Sequence, residues 1–239
     1  MKLLRWDEAP AGVQVAFSTR DGGVSDGPYA SLNLGILTDD EPRRVVENRR
    51  RLCDAVGIDP QRATMAFQVH GPRVTEASST GVVTPGTDYE QCDGLWTEKP
   101  GHGLMLVTAD CLPIALARTD GSRLVALHAG WRGLLAGIAE AGFAAADGET
   151  VAAIGPGIGP CCYEVGEEVA APFRARFGDD VAPDGHLDLP LAAARALEAA
   201  GVARVDRVGG CTACDPETYF SHRRDRGVTG RQGIVAALG

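Results

Sequence analysis

Along the chain, short apolar runs recur between polar, glycine-bearing connections, and stretches with helical spacing stand among them. Segments 13–19 (VQVAFST), 63–69 (ATMAFQV), 103–109 (GLMLVTA), 114–118 (IALAR), 123–129 (RLVALHA), 150–155 (TVAAIG) and 204–210 (RVDRVGG) are too brief for helices and predict strands. Segments 41–57, 131–146 and 189–201 carry apolar residues at helical spacing and predict helices. The first and last of these end at Gly57 and Gly201, each placed where a helix closes in the left-handed conformation. Hairpin-forming strands mixed with separated helices point to an α+β fold in layers rather than a doubly wound sheet. No Pro/Ser-rich linker, low-complexity tract or short repeat interrupts the pattern, which predicts one compact domain over residues 1–239.

Composition narrows the function. The 239 residues are 44% hydrophobic, enough for a substantial core, and carry a net charge of −9. That balance argues against a nucleic-acid partner, which needs a basic face, while leaving room for a local basic pocket that takes a small anion. The start, MKLLRWDEAP, lacks the apolar core of a signal peptide, and no apolar run is long enough to span a bilayer. The expectation is a soluble cytoplasmic protein with no membrane partner. Its seven cysteines then read as thiols, metal ligands or catalysts rather than as a disulfide framework. Three glycine-rich connections (19–35, 128–133 and 155–162) are candidates for functional loops, though turn-making explains any one of them.

The clearest chemistry lies in TADCLPIALARTDGSRLVALHAGWRG, residues 108–133. Asp120-Gly121 as the centre of a tight turn pairs Arg118 with Arg123 and Pro113 with His128. Cys111 then faces Gly130, and His128 is its diagonal neighbour on the same face of the ribbon. Diagonal Cβ atoms lie roughly 7 Å apart, close enough for a thiolate and an imidazole to share a metal ion. The plain alternative is a buried thiol beside a core histidine. Asp110 before the cysteine and Trp131-Arg132 after HAG favour a site, because they gather polar groups at strand ends where a pocket opens. His70, which ends another apolar run and precedes Gly71-Pro72, is a third candidate ligand. Two histidines and a cysteine match the three-ligand sets of catalytic zinc sites that keep one position open.

Arg49 poses a separate question. Val45, Leu52 and Val56 mark the inward stripe of the first long helix, and Asn48 and Arg49 fall on it. A buried arginine needs a partner. Either a salt bridge to Asp or Glu, or a bound phosphate or carboxylate, satisfies it. Other features are weaker. CTAC (211–214) has CxxC spacing with no second CxxC to complete a zinc ribbon, so it reads as structural or as lining a site. Adjacent Cys161 and Cys162 read as packed thiols, ill suited to an unstrained disulfide. GPGIGP is not a dinucleotide fingerprint, since its prolines remove N–H donors. His102 and His186 read as solvated, and His222 lies in a basic segment that could border an anion site.

Taken together, FSTRDGGVS, SLNLG, ENRRRL, QVHG, TADCLPI, HAGWRG, IGPGIGPCCYEVG and FSHRRD…TGRQG resemble the YfiH family, in matching order from about residue 14 to residue 235. Members of that family have been labelled laccase-domain or multicopper polyphenol oxidases and later purine nucleoside phosphorylases. The resemblance implies a single-domain α+β sandwich of mixed sheets and helices, similar to a cysteine-hydrolase-like toxin deamidase. It implies His70, Cys111 and His128 as zinc ligands and catalytic residues, and zinc as the cofactor ahead of copper. It implies phosphorolysis of inosine, guanosine, adenosine or methylthioadenosine, with adenosine deamination as a side activity. The expected partners are therefore purine nucleosides and phosphate, and the expected state is a monomer. On the same basis Arg49 is placed at the phosphate, and Asn33 with the Gly22-Gly23 turn at the pocket wall. Asp110 is assigned either a proton-shuttling role or the anchoring of a metal-bound histidine. Three rival readings remain: a metal-free Cys111/His128 thiol hydrolase or deamidase, a copper phenol oxidase, and an accessory role such as cell-wall precursor editing. The scarcity of histidines (five in all) argues against the copper oxidase.

Overall fold

The computed structural model describes residues 1–78, 81–82 and 89–239. Its strands are β1 (Leu3–Arg5), β2 (Val13–Ser18), β3 (Ala63–Met65), β4 (Val74–Glu76), β5 (Gly94–Thr97), β6 (Gly103–Thr108), β7 (Leu112–Arg118), β8 (Leu124–Ala129), β9 (Thr150–Ile154), β10 (Arg204–Arg207) and β11 (Gln232–Leu238). The α-helices are α1 (Pro42–Val56), α2 (Trp131–Ala136), α3 (Ile138–Ala146), α4 (Glu167–Phe177) and α5 (Leu189–Ala200). One sheet has the order β1-β2-β11-β6-β3 and the other β10-β9-β7-β8-β5-β4. Each combines antiparallel pairs with parallel ones, β3 with β6 in the first sheet and β4 with β5 and β9 with β10 in the second.

Alternation along the strands builds the layers. Phe17, Leu104, Leu106, Ile234 and Ala236 from the first sheet meet Ala115, Ala117, Leu124, Ala126 and Ala153 from the second in a shared inner core. The other face of the first sheet, with Ala16, Met65, Met105 and Val235, packs on Leu52, Cys53 and Val56 of α1. The other face of the second sheet, with Ile114, Leu116, Val125, Leu127 and Ile154, is covered by α2 to α5. The order is therefore helix, sheet, sheet, helices, an α+β sandwich with the expected mixed sheets. No helix among the described residues is long and apolar enough to cross a membrane.

Helix α1 buries Val45, Asn48, Arg49, Leu52, Cys53 and Val56, the stripe its spacing predicts, and closes on Gly57 at φ 74°. Helix α5 closes on Gly201 at φ 109°. The single helix predicted over 131–146 is two, because Gly137 adopts φ 96° and ends α2 with its N–H on the carbonyls of Gly133 and Leu134. Helix α4 was hidden by Pro172 in its interior, which removes a helical N–H and marks the segment as broken. Strands β1, β4, β5 and β11 also escape the sequence reading. The run that forms β11, QGIVAAL, has no alternation because it is buried along its whole length between β2 and β6. His102, expected to be solvated, is 7% exposed and shares a hydrogen bond of 2.7 Å with Thr64 Oγ1.

Candidate active site

The chain passes from one sheet to the other between β6 and β7, and Asp110 and Cys111 occupy that crossing. Pairs Leu112–Ala129, Pro113–His128 and Leu116–Val125 confirm the register read from Asp120-Gly121. His70 follows β3 and a bridge from Phe67 to Gln91, and stands at φ 61°. Ligand atoms of His70, Cys111 and His128 lie within 4.8 Å of one another. The two imidazoles meet edge to face at a centroid distance of 4.7 Å. Gly130, opposite the cysteine, leaves the space they need. A Cβ there would lie 2.9 Å from Cys111 Sγ and 3.2 Å from His70 Cδ2.

Asp93, which the sequence reading passed over, organises this trio. It is fully buried just before β5, where the strand pairs with β8, and its backbone carbonyl accepts the His128 N–H at 2.7 Å. Its carboxylate accepts N–H bonds from Val69 (3.1 Å), His70 (2.8 Å) and Gly71 (2.8 Å), and lies 2.8 Å from His128 Nδ1. A carboxylate on Nδ1 favours a proton there and leaves Nε2 of His128 as the donor to an electrophile. Burial opposes ionisation of Asp93, but His128 and the Gly71 and His70 amides outweigh it and hold the carboxyl below its ordinary pKa. Burial likewise opposes a Cys111 thiolate, yet the charge and hydrogen bonds of His128 and His70 lower its pKa. His128 is held high in turn, with Cys111 and Asp93 outweighing the effect of burial.

Asp110, next to Cys111, has both of its carboxylate oxygens engaged. Thr212 Oγ1 donates to one of its oxygens at 2.6 Å and the Arg223 N–H to the other at 2.7 Å, while the Ile158 N–H donates to its carbonyl at 2.8 Å. It thus joins three loops, from φ 89°, and the histidine-anchoring carboxylate is Asp93.

A cavity of about 520 Å³ opens beside the trio. His70, Asp110, Cys111 and His128 line one side, and Arg49, Arg132, Arg223 and Arg231 also line it. Four arginines among its lining residues give an acidic chain a locally basic pocket. Arg49 is 1% exposed. It donates to the carbonyls of Leu34 (2.9 Å) and Val82 (3.2 Å) and to Tyr89 Oη (3.1 Å). Among the described residues no carboxylate pairs with it, and its partners there are neutral oxygens. Burial lowers the pKa of both Arg49 and Arg231. Such charges, held in place by neutral partners, suit an anion. His222, in the basic segment singled out from sequence, also lines the cavity.

Asn33 and Gly23 are not on that wall. Asn33 is fully buried; its amide donates to Thr38 and Asp40, and its carbonyl oxygen accepts the N–H groups of Gly35 and Arg231. It holds from behind the loop and the arginine that face the cavity. The N–H groups of Gly22 and Gly23 both reach Ser31 Oγ at 3.1 Å, and a Cβ on Gly23 would lie 2.1 Å from the Ser31 carbonyl. That turn is glycine for close packing of its own loop. The two cysteine motifs, read separately from sequence, meet: Cys161, Cys162, Cys211 and Cys214 form a second cluster whose sulfurs lie within 4.8 Å of one another.

Comparison with known proteins gives the family. The family described as multi-copper polyphenol oxidoreductase laccase matches residues 14–239. A purine nucleoside phosphorylase of Pseudomonas aeruginosa is 39% identical over 241 residues, covering 96% of this chain and 94% of that protein. A purine nucleoside phosphorylase of Deinococcus radiodurans is 42% identical over 233 residues, covering 93% and 88%. The crystal structure of the Bacillus licheniformis hypothetical protein YfiH superposes with a TM-score of 0.89 at 31% identity, covering 98% of this chain and 99% of that one. The chain belongs to this laccase-domain, or YfiH, family.

Proposed function

From membership of that family, we propose that this chain is a purine nucleoside phosphorylase, a monomeric cytoplasmic enzyme of one domain. It would convert inosine, guanosine, adenosine or methylthioadenosine, with phosphate, to free base and the (methylthio)ribose 1-phosphate. The observation that carries this reading is the shared cavity, which sets the His70/Cys111/His128 trio and four arginines around one space of about 520 Å³. That is an ordinary size for a small-molecule site. In the reaction a phosphate oxygen forms a bond to the anomeric carbon, the C–N glycosidic bond breaks, and the base leaves with the electron pair and takes up a proton.

The chain's own groups divide the work. Arg49 and Arg231 are the groups proposed to hold the phosphate, with Arg223 and Arg132 completing the cationic wall. Phe67, Tyr89, Trp131 and Tyr163 offer faces for a purine. Asp93 fixes the ring of His128 and the backbone around His70, so neither imidazole has to reorganise during the reaction. The donor set of two imidazoles and one thiol whose ionisation is favoured fits zinc, which is the metal proposed for it. Zinc held there would supply a Lewis acid for charge developing on the base or the phosphate. The same corner is proposed for the adenosine deaminase side activity.

A second reading has one observation in its favour: Cys111 and His128 support each other's charged forms, as in thiol hydrolases and deamidases. One experiment separates the two. Metal-quantified protein is incubated with inosine, with and without phosphate, and hypoxanthine and ribose 1-phosphate are followed by chromatography, with Cys111→Ala alongside. Phosphate-dependent release of base, lost in the variant, is the expected result. No turnover of inosine, adenosine or methylthioadenosine by zinc-loaded protein overturns the phosphorylase reading. Inactivation by iodoacetamide without loss of metal then supports the thiol hydrolase.

A further inference from the structure

The cysteines outside the cavity carry an inference that does not depend on phosphorolysis. Parallel neighbours β9 and β10 release their following loops at the same end of the sheet. The first loop carries Cys161 and Cys162, the second Cys211 and Cys214. The two are stitched together by a bridge between Gly157 and Cys211 and by the Thr212 N–H on the Gly157 carbonyl at 3.0 Å. Each cysteine pair lies in a turn; the N–H groups of Cys162 and Tyr163 both return to the Gly159 carbonyl at 3.1 Å. Sulfur–sulfur separations of 3.2 Å (Cys161 to Cys214) and 3.4 Å (Cys162 to Cys214) bring thiols from both loops together. All four are free, and all four sulfurs fall within 4.8 Å of one another.

We propose that Cys161, Cys162, Cys211 and Cys214 form a structural tetrathiolate site for zinc, separate from the His70/Cys111/His128 centre. Four sulfurs around one zinc, each about 2.3 Å from it, lie about 3.8 Å apart, a spacing the cluster reaches with small adjustments. A pair of disulfides accounts for the arrangement less well, since one sulfur, that of Cys214, is near two others at once. The Gly159 N–H donates to Cys211 Sγ at 3.2 Å, the kind of backbone bond that supports a thiolate ligand. None of the four cysteines lines the cavity, but their neighbours Ile158 and Tyr163 do, and Thr212 holds Asp110. The ion would therefore clamp the two loops that set one wall of the cavity, replacing a hydrophobic core this exposed corner lacks.

The test uses the full chain, purified from zinc-replete culture without chelator. In Cys111→Ser/His70→Ala protein, which removes two ligands of the other centre, metal analysis is expected to find about one zinc per chain. Cobalt(II) loaded into that variant should show thiolate-to-metal charge-transfer absorption, and adding Cys161→Ser/Cys214→Ser should remove both signals. Should that combined variant fail to fold, differential alkylation of the parent answers the question, with Cys161, Cys162, Cys211 and Cys214 taking label only after zinc is chelated. A variant lacking zinc, labelling unchanged by chelation, or a disulfide among these four in the folded, unreduced protein overturns the proposal.

Discussion

Replacing Asp93 by Asn changes one atom's chemistry at the centre of the site and should be felt twice. The carboxylate serves four donors: the N–H groups of Val69, His70 and Gly71, and Nδ1 of His128. An asparagine of the same shape keeps one acceptor oxygen. If that oxygen stays with His70 and His128, the new NH₂ faces the N–H groups of Val69 and Gly71, donor against donor. Each buried donor left without an acceptor costs about 1–3 kcal/mol, so the pair costs about 2–6 kcal/mol. Val69 is exposed and its bond to Asp93 only part-buried, which favours the lower end. About 2 kcal/mol lowers the melting temperature of a chain this size by about 4–8 °C. If the amide turns the other way, its NH₂ faces His128 Nδ1, which must then lose its proton, and Nε2 carries the proton instead of a lone pair. Metal affinity should then fall about 10–100-fold, the usual effect of losing the carboxylate behind a ligating histidine. Thermal unfolding of the metal-free chain measures the first effect, and competition with a calibrated chelator measures the second. A variant with the melting temperature and the metal affinity of the parent would refute the role given to Asp93.

Two further outcomes follow from single distances. Gly130→Ala should keep the fold, since Gly130 sits at φ −86° and ψ 173°, a conformation open to any residue. Its methyl would nevertheless stand 2.9 Å from Cys111 Sγ, so zinc affinity and nucleoside turnover should drop about tenfold or more while circular dichroism stays unchanged; full activity would show that the trio tolerates displacement. Arg231→Gln keeps the backbone N–H on Asn33 but removes a guanidinium from the cavity, so steady-state kinetics should show the KM for phosphate rising about tenfold, corresponding to about 1.4 kcal/mol, with the KM for nucleoside changed less. An equal rise in both would place Arg231 in the structure of the loop rather than at the anion.

The boundary between what the sequence announces and what it hides follows the range of the interactions involved. The Cys111–His128 pairing was legible because a tight turn fixes strand register over a few residues, with no knowledge of the rest of the fold. The inward direction of Arg49 was legible from helical period alone, but its partners were not: carbonyls of Leu34 and Val82 and the phenol of Tyr89 come from remote loops. Asp93 was invisible for a related reason. Asp-Gly before a short apolar segment reads as a turn, and its function depends on β5 lying against β8 and on the loop at His70 folding over both. Asn33 was drawn to the cavity by its motif, whereas its buried amide supports the residues that face it. The cysteine motifs make the same point most sharply. Each was weak evidence by itself, a CxxC without a second CxxC and an adjacent pair unsuited to a disulfide. They become one candidate ligand set only because β9 and β10 are parallel neighbours, a pairing across about fifty residues that no local pattern encodes.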